Sequence, residues 1–305
     1  MTGSCRLRVV ALGALLSCMP LWSTLPTAQT ETFRLVPNWW RLPADVATGA
    51  VTAAYPDVNG RVFVFRRAEP PILELEASGA FVRSLAADLI VSAHGIRVDS
   101  GGRIWVADVG GHAVYKLDRD GRVLLTLGTK GVKGNGPDTF NGPTDVLSTL
   151  QGDIFVTDGQ FNSRIVRFRA DGTFVKDWGT NGSGDGQVKL PHAIAADSAG
   201  RLFIADRDNA RIVLFDRDSR FLANWAQFGA PSGLYITPDD TLYVAAIGEQ
   251  SGVVIGSARS GEVRGRVAMP SKGVNGPHLI SADGRGAIYV ADLLSNEVKK
   301  LTAAP

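Results

Sequence analysis

Cysteine is nearly absent from this chain: its 305 residues include only Cys5 and Cys18, both before residue 29. Excess charge is absent as well, because 32 basic residues face 30 acidic ones. Without cysteine, residues 29–305 cannot form a disulfide framework, so their stability must come from an apolar core and any bound metal. The balanced charge argues against nucleic acid or an anionic membrane surface as the main partner.

The first 28 residues have the pattern of an export signal. Arg6 and Arg8 precede an apolar run, residues 9–16, that is too short for a stable membrane span. We therefore predict a signal peptide over residues 1–28 and an exported protein, periplasmic or secreted. Lipidation at Cys18 is the alternative, and it would leave the protein anchored to a membrane.

Glycine is abundant instead, with 35 residues, and it marks turns that return at regular intervals. A short apolar run, mostly ending in an Ala-Asp-type pair, follows each turn; the six copies are residues 61–66, 103–108, 153–158, 201–206, 241–246 and 287–292. Their average spacing is about 45 residues, which is the period of four-stranded propeller blades. We predict an all-β fold, a six-bladed β-propeller, as a single domain over residues 29–305.

The last repeat lacks a fourth strand, since it stops near Thr302, whereas residues 33–40 precede the first repeat and belong to none. We predict that this N-terminal segment supplies the missing strand and closes the ring, which removes exposed sheet edges. Trp178 and Trp225 end equivalent fourth strands. We interpret both indoles as packing between blades rather than as a platform for a ligand.

Three of the four histidines share one position of the repeat, the start of the innermost strand. They are His94, His192 and His278. The intervening repeats have a hydroxyl residue there: Thr52, Thr144 and Ser232. Alternate blades of a six-bladed ring are about a third of a turn apart, so the three imidazoles should converge on the channel axis. Three histidines and an open position form a ligand set typical of zinc, and we predict that they bind Zn²⁺.

The loops after the second strands open on the same face as these histidines, and they place Arg67, Gln160 and Arg207 at the mouth of the channel. A guanidinium fork matches a carboxylate, so two arginines beside a metal predict a substrate with a carboxylate group. The competing interpretation for each arginine is an ion pair with a neighbouring aspartate. The fourth histidine, His112, has a different repeat position, and we expect it on the surface.

Two long runs, residues 143–168 and 191–215, resemble NHL-repeat propellers. More narrowly, they resemble the lyase domain of the peptidylglycine α-amidating enzymes and its bacterial relatives, and the glycine-rich segment 128–143 fits that group too. The resemblance covers residues 33–302. It implies a six-bladed propeller with zinc held by three histidines, which cleaves peptidyl-α-hydroxyglycine to a peptide amide and glyoxylate.

The resemblance also implies roles for single residues. By position, the three histidines correspond to the zinc ligands, Arg67 to the active-site arginine and Arg207 to a second arginine near the pocket. Gln160 stands where the family has a catalytic tyrosine, and an amide cannot serve as a base. The family's acidic calcium ligand is replaced by Leu279. Backbone carbonyls near Ala54 and Ile96 are the ligands that would be left for Ca²⁺.

The sequence thus favours a zinc-dependent lyase of the peptidylamidoglycolate lyase type, or a close relative. We expect a monomer that acts on a small-molecule or peptide substrate with a carboxylate. Another metal-dependent hydrolase on the same ring, such as a lactonase, stays open, although its carboxylate-rich calcium site is not visible in the channel positions. A third interpretation is an exported propeller that binds protein or peptide without catalysis. The fold alone does not decide between them.

Overall fold

The computed structural model describes residue 1 and residues 33–249, 251–269 and 276–304. The predicted signal peptide and its alternative lipidation site at Cys18 lie outside these residues. The described residues from Phe33 onward belong to one compact unit. Within the described part of the chain, no helix has both the length and the apolar character needed to cross a membrane.

The described residues form six antiparallel sheets of four strands, which are the blades of a six-bladed propeller. Blade 1 comprises β2 (Ala50–Pro56), β3 (Val62–Arg67), β4 (Ile72–Leu75) and β5 (Phe81–Leu85). Blade 2 comprises β6 (Ala93–Val98), β7 (Ile104–Asp108), β8 (Ala113–Leu117) and β9 (Val123–Leu127). Blade 3 comprises β10 (Pro143–Ser148), β11 (Ile154–Asp158), β12 (Arg164–Phe168) and β13 (Phe174–Trp178).

The remaining blades repeat this arrangement. Blade 4 comprises β14 (Pro191–Ala196), β15 (Leu202–Asp206), β16 (Arg211–Phe215) and β17 (Phe221–Trp225). Blade 5 comprises β18 (Ala230–Ile236), β19 (Thr241–Ile247), β20 (Gly252–Ser257) and β21 (Val263–Ala268). Blade 6 comprises β22 (Pro277–Ala282), β23 (Ile288–Asp292), β24 (Glu297–Ala303) and β1 (Phe33–Val36). The one helical element of the described residues is a 3₁₀ turn at Arg207–Asn209.

The ring closes as the sequence predicted. Strand β1 pairs antiparallel with β24, from Phe33 opposite Ala303 to Val36 opposite Lys300. The N-terminal segment is therefore the outer strand of the last blade, and the first and last parts of the propeller are held together by backbone hydrogen bonds. The all-β class, the six blades and this closure are confirmed.

Burial differs between inner and outer strands, which explains their sequence patterns. Strand β11 is buried at every residue, because both of its faces contact neighbouring blades. Strand β13 alternates between half-buried and exposed residues, because it lies at the rim. Apolar runs such as Ile-Phe-Val in β11 therefore belong to the layers between blades rather than to one face of an isolated sheet.

The two tryptophans pack between blades, as interpreted from the repeat. The Trp178 ring lies edge-on to Phe155 of its own blade and to Phe215 of the next, with centroids 6.1 and 6.0 Å away. Trp225 lies edge-on to Phe203 of its own blade at 5.5 Å and stacks at 6.0 Å on Phe228, which precedes the first strand of blade 5. Edge-to-face aromatic pairs at this distance add to the stability that burial alone provides.

In blades 2, 3 and 4, the aspartate that ends the second strand fastens the loop before the first strand. The Asp108 carboxylate accepts hydrogen bonds from the backbone N–H groups of Val91 and Ser92, at 2.9 and 2.8 Å. In blade 1 this position is Arg66, which is fully buried. Its guanidinium donates instead to backbone carbonyls, among them that of Ala47. In blade 1 the side chain donates and the backbone accepts, which is the reverse of the aspartate contacts, and the loop is still held. Arg67, the next residue, lies at the mouth of the channel.

Candidate metal centre

The innermost strand has the same irregularity in all six blades, and it lies at the histidine or hydroxyl position. In blade 2 the pairing of β6 with β7 shifts between Ala93 and Ile96, on either side of His94. The other five blades shift at the equivalent place. A β-bulge bends its strand and re-aims a side chain. The repeat therefore supplies the local distortion that a channel site needs.

The three imidazoles meet in one tight cluster, although they come from blades 2, 4 and 6. Ring centroids are 4.6 Å apart for His94 and His192, 4.7 Å for His94 and His278, and 4.8 Å for His192 and His278. Their ligand nitrogens lie within 4.8 Å of one another. All three side chains are buried, at no more than 3% exposure.

Each imidazole is oriented by the hydroxyl residue of the following blade. The Nδ1 atom of His94 lies 2.7 Å from the carbonyl oxygen of Thr144. The Nδ1 atoms of the other two lie 2.6 Å from the carbonyls of Ser232 and Thr52. A carbonyl only accepts, so each Nδ1 is the donor and has the proton. This leaves every Nε2 lone pair free, which is the arrangement found when histidine binds a metal.

The electrostatics of the cluster keep the histidines neutral. Burial lowers the pKa of His94 and of His192 well below the usual value, and the neighbouring histidines lower both further. Burial also lowers the pKa of His278, to about 4. A protonated imidazole cannot bind a metal, so these shifts favour the form that can.

The residues present fit a metal ion that prefers nitrogen. The Nε2 atom of His192 is buried and has no hydrogen-bond partner, a costly state for a polar atom unless something else binds it. Three neutral imidazoles without a carboxylate suit Zn²⁺ and other transition metals better than Mg²⁺ or Ca²⁺.

Arg67 lies at the mouth beside this cluster. Its Nε donates to the carbonyl oxygen of Ala93, the residue before His94, at 3.2 Å. Burial lowers the pKa of Arg67, and its charge contributes to the lowered pKa of His94 and of His278. Across the described ranges, no carboxylate forms an ion pair with it. The side chain is thus an exposed cation close to the centre, and no carboxylate of the described residues pairs with it.

Arg207 begins the 3₁₀ turn after β15 and lies on the same side. Burial is the largest cause of the lowered pKa of each of the three histidines. The charge of Arg207 is a smaller cause that lowers all three pKa values in the same direction. Its Nε is 3.5 Å from the carboxylate of Asp208, an exposed residue. Arg207 therefore has both features considered from the sequence: proximity to the site and a loose pair with a neighbouring aspartate.

Gln160 follows β11 on the loop of blade 3, half-buried, and its backbone N–H donates to the carbonyl of Gly142 at 3.0 Å. The next side chain, Phe161, is 66% exposed. The surface position expected for His112 is wrong. Its ring is 6% exposed, and its Nδ1 accepts a hydrogen bond from the backbone N–H of Gly142 at 3.1 Å. His112 supports the loop that precedes β10.

Sequence reasoning missed the pair that lies deeper in the channel. Arg97 is three residues after His94, and its Nη2 lies 2.6 Å from Oδ2 of Asp145, the residue after Thr144. Both line a cavity of about 10 Å³ between the inner strands, which is roughly the volume needed for one water molecule. One feature of the sequence could have indicated this pair. Asp145 is a charged residue on an inner strand, directly after Thr144, which has the histidine position of the repeat.

The fold is a six-bladed propeller, and three buried histidines surround one end of its channel. The protein therefore belongs to the class of β-propellers that have a candidate metal centre. The comparisons then give the family. An NHL repeat model matches residues 91–117, and NHL repeat-containing protein 3 of Homo sapiens is 30% identical over 88% of this chain and 83% of its own length. The chain belongs to the NHL-repeat propeller proteins.

Other relatives of this chain include proteins named as amidating enzymes. Their similarity does not by itself show that this chain has the same activity. A probable peptidyl-alpha-hydroxyglycine alpha-amidating lyase of Caenorhabditis elegans is 28% identical over 72% of this chain and 66% of its own length. The chain spans only about a quarter of the vertebrate peptidylglycine alpha-amidating monooxygenases that it matches. A gluconolactonase structure from Xanthomonas campestris aligns over 84% of this chain and 86% of its own, with a TM-score of 0.66 and 16% identity, which supports the fold alone.

Proposed function

We propose that this protein is a zinc-dependent lyase of the peptidylamidoglycolate lyase type, or a close relative, that breaks the C–N bond of an α-hydroxyglycine-like substrate. One observation supports this most. Three neutral histidines with free Nε2 atoms lie beside Arg67, a cation that forms no ion pair with a described carboxylate. A site of this kind suits a substrate that has both a metal-binding oxygen and a carboxylate.

The three histidines would hold the metal through their Nε2 atoms. Zinc bound there would supply Lewis-acid chemistry to an oxygen of the substrate. The contribution of the chain is rigidity, because each imidazole is fixed by a carbonyl of a neighbouring blade. These hydrogen bonds from Nδ1 to backbone carbonyls keep each ring in its tautomer and orientation.

Arg67 would bind the carboxylate end of the substrate. Its Nε is already used on Ala93, so the two Nη groups are left for a carboxylate, and the fork is aimed by the Nε contact. Arg207 would add a second positive charge at the mouth. Bidentate guanidinium–carboxylate pairs are both strong and geometrically specific.

Gln160 limits the proton chemistry of this proposal. When the C–N bond breaks, its electron pair goes to nitrogen, the hydroxyl oxygen loses a proton and nitrogen gains one. The Gln160 amide can donate or accept a hydrogen bond but does not ionise near neutral pH, so it cannot act as a general base. We propose that it orients the substrate, and that turnover is slower than with a positioned base, which adds roughly 10²–10⁴-fold.

The proposal includes export through residues 1–28 and function as a monomer. A lactone substrate, or binding without catalysis, would take its place if the lyase assay failed. Glyoxylate release from an N-acyl-α-hydroxyglycine by the zinc-loaded protein is the test, with a γ-lactone assayed in parallel.

Arg67→Ala should lower kcat/KM for the α-hydroxyglycine by about 10–100-fold, as expected for one charge-assisted contact to a carboxylate. Arg122→Ala is the matched control, since Arg122 is exposed in the turn between β8 and β9, and it should act like wild type. Equal activity of Arg67→Ala and wild type would exclude Arg67 from carboxylate binding. Inactivity of the zinc-loaded wild type on this substrate, with turnover of the lactone, would replace the lyase by a hydrolase.

A further inference from the structure

The cavity below the histidines is the place where the resemblance to the amidating lyases implies calcium. Ala54 and Ile96, whose carbonyls were the remaining candidate ligands, both line it, and so does Leu279, the residue in place of the family's acid. The position can therefore be tested against the needs of calcium, which takes six to eight oxygen ligands at about 2.3–2.6 Å.

The residues present do not fit calcium. Asp145 is the one acidic residue that lines the cavity, and both of its oxygens are engaged. Oδ1 accepts from the backbone N–H of Val146 at 2.9 Å and from Nε of Arg97 at 3.1 Å. Oδ2 accepts from Nη2 of Arg97 at 2.6 Å and from the backbone N–H of Ile194 at 3.1 Å.

The carbonyl ligands are also partly used. The hydroxyl of Ser281 donates to the carbonyl oxygen of Ala54 at 2.7 Å. Leu279 adds a buried apolar side chain where an acid would have been needed. A divalent cation would find one carboxylate, already paired, in a cavity of about 10 Å³.

A guanidinium occupies this level of the channel instead. Arg97 extends from β6 of blade 2 to Asp145 on β10 of blade 3, and it also donates to the carbonyl of Ile194 on β14 of blade 4. The Tyr55 ring of blade 1 faces the guanidinium at 6.0 Å. One side chain thus connects the inner strands of neighbouring blades, which is what a shared metal ion would do.

We propose that Arg97 is a built-in cation of the channel floor, which takes the structural place of calcium and makes the fold of this chain independent of that ion. Arg97 and Asp145 sum to zero charge, so no negative charge is left for Ca²⁺. Guanidinium also offers several donors in a fixed plane to oxygens around it, as a metal offers several coordination positions.

The charge state of Arg97 agrees with this role. Burial lowers the pKa of Arg97, but the Asp145 charge and its hydrogen bonds outweigh burial and raise the pKa above the ordinary value. Arg97 is therefore a cation at every pH at which the protein folds.

The first test measures thermal unfolding of protein dialysed against calcium-free buffer, with and without added CaCl₂. Wild type should melt at the same temperature in both. Arg97→Met keeps the length of the side chain and removes the charge, which leaves Asp145 buried without a counter-ion. We expect the melting temperature of Arg97→Met to fall by about 5–15 °C. Millimolar CaCl₂ should restore part of this loss, whereas it should not change the melting temperature of the wild type.

Arg103→Met is the matched control, because Arg103 belongs to the same blade and pairs with Asp99 at the exposed surface. Exposed pairs contribute little, so this variant should melt within about 2 °C of wild type. The double variant Arg97→Met/Asp145→Leu removes both charges and should melt above Arg97→Met. An Arg97→Met variant as stable as Arg103→Met would contradict the proposal.

A second test builds the calcium site that this chain lacks. Arg97→Ser/Leu279→Asp opens space and adds a second carboxylate, so calorimetric titration with CaCl₂ should show one site per chain, where wild type shows none. Saturable submillimolar calcium binding by the wild type, with a rise in its melting temperature, would overturn the proposal. If Arg97→Ser/Leu279→Asp does not fold, the calcium titration of the wild type and the melting temperatures of the Arg97→Met variants test the proposal.

Discussion

The channel has two levels with opposite chemistry, only a few residues apart on the same strands. At the upper level, three neutral imidazoles from blades 2, 4 and 6 leave Nε2 lone pairs free, and Arg67 and Arg207 are the charges nearby. At the lower level, Arg97 is a cation in contact with its own counter-ion, Asp145. The upper level offers three nitrogen lone pairs to a metal ion, whereas the lower level contains a cation that belongs to the chain.

The difference shows how an inner strand of the same repeat can serve two purposes. Nitrogen lone pairs that point at one another without a proton between them are unsatisfied unless a cation binds. A guanidinium with a bidentate carboxylate is already satisfied and closes the space around it. Dependence on a metal should therefore be strong at the upper level and absent at the lower level.

Removal of the upper ligands should have the largest effect. His94→Ala/His192→Ala should retain no stoichiometric zinc, and each single variant should lose most of it, because two imidazoles make a poor site. Metal analysis after gel filtration measures this. The propeller should stay folded, since the layers between blades have their own apolar core.

The fourth histidine is the control for this experiment. His112 has a positive φ of 55°, which asparagine tolerates, so His112→Asn should fold and keep one zinc per chain. Stoichiometric zinc in His94→Ala/His192→Ala would show that the ligands lie elsewhere and would remove the contrast between the two levels.

Low pH should destabilise the protein through the histidines of the upper level and not through Arg97 of the lower level. We expect this effect to be smaller than that of removing the histidines. The histidine pKa values are lowered in the folded state, to about 4 for His278, whereas an unfolded histidine titrates near 6.5. Below about pH 6.5 the unfolded chain binds more protons. The metal-free protein should therefore lose stability as the pH falls from about 6.5 to 4, by up to about 1.4 kcal/mol per pH unit for each histidine.

Urea unfolding of metal-free protein at pH 7 and pH 4.5 measures this loss. His192→Gln removes one titrating imidazole and should lose less stability between the two pH values than wild type. Arg97→Lys keeps the lower cation and should show the wild-type pH dependence. Identical pH dependence for wild type and His192→Gln would contradict the assignment of buried neutral histidines.

Much of this arrangement was predictable because the repeat is regular. A constant spacing of turns fixes the number of blades, and a residue at the same place in alternate repeats must face its equivalents across the ring. The repeat alone therefore predicts that His94, His192 and His278 lie together. The spare segment at residues 33–40 predicted the closing strand for the same reason.

The lower level could not be derived in this way. Arg97 and Asp145 are 48 residues apart and belong to successive blades, and nothing in the repeat marks them as partners among 32 basic and 30 acidic residues. The position of His112, in the loop after a second strand, predicts a surface residue. Its ring is buried instead, where it accepts the N–H of Gly142. Such contacts depend on how loops fold over one another.

The smallest effect expected is at the mouth above the upper level. Gln160→Tyr provides a phenol that can exchange a proton, so glyoxylate release should rise about tenfold, less than the full effect of a positioned base because its supporting contacts are missing. Gln160→Ala should lower the rate modestly, because it removes the hydrogen-bonding group that we propose to orient the substrate. Robust wild-type turnover that neither variant alters would show that this loop does not contribute to proton transfer.

The contrast between the two levels is tested most directly by anomalous diffraction at the zinc edge, from crystals grown with ZnCl₂ and CaCl₂. The account predicts one strong zinc peak, bonded to the Nε2 atoms of His94, His192 and His278, and no metal density between Arg97 and Asp145. A metal ion on the floor of the channel, or zinc bound away from the three histidines, would contradict it.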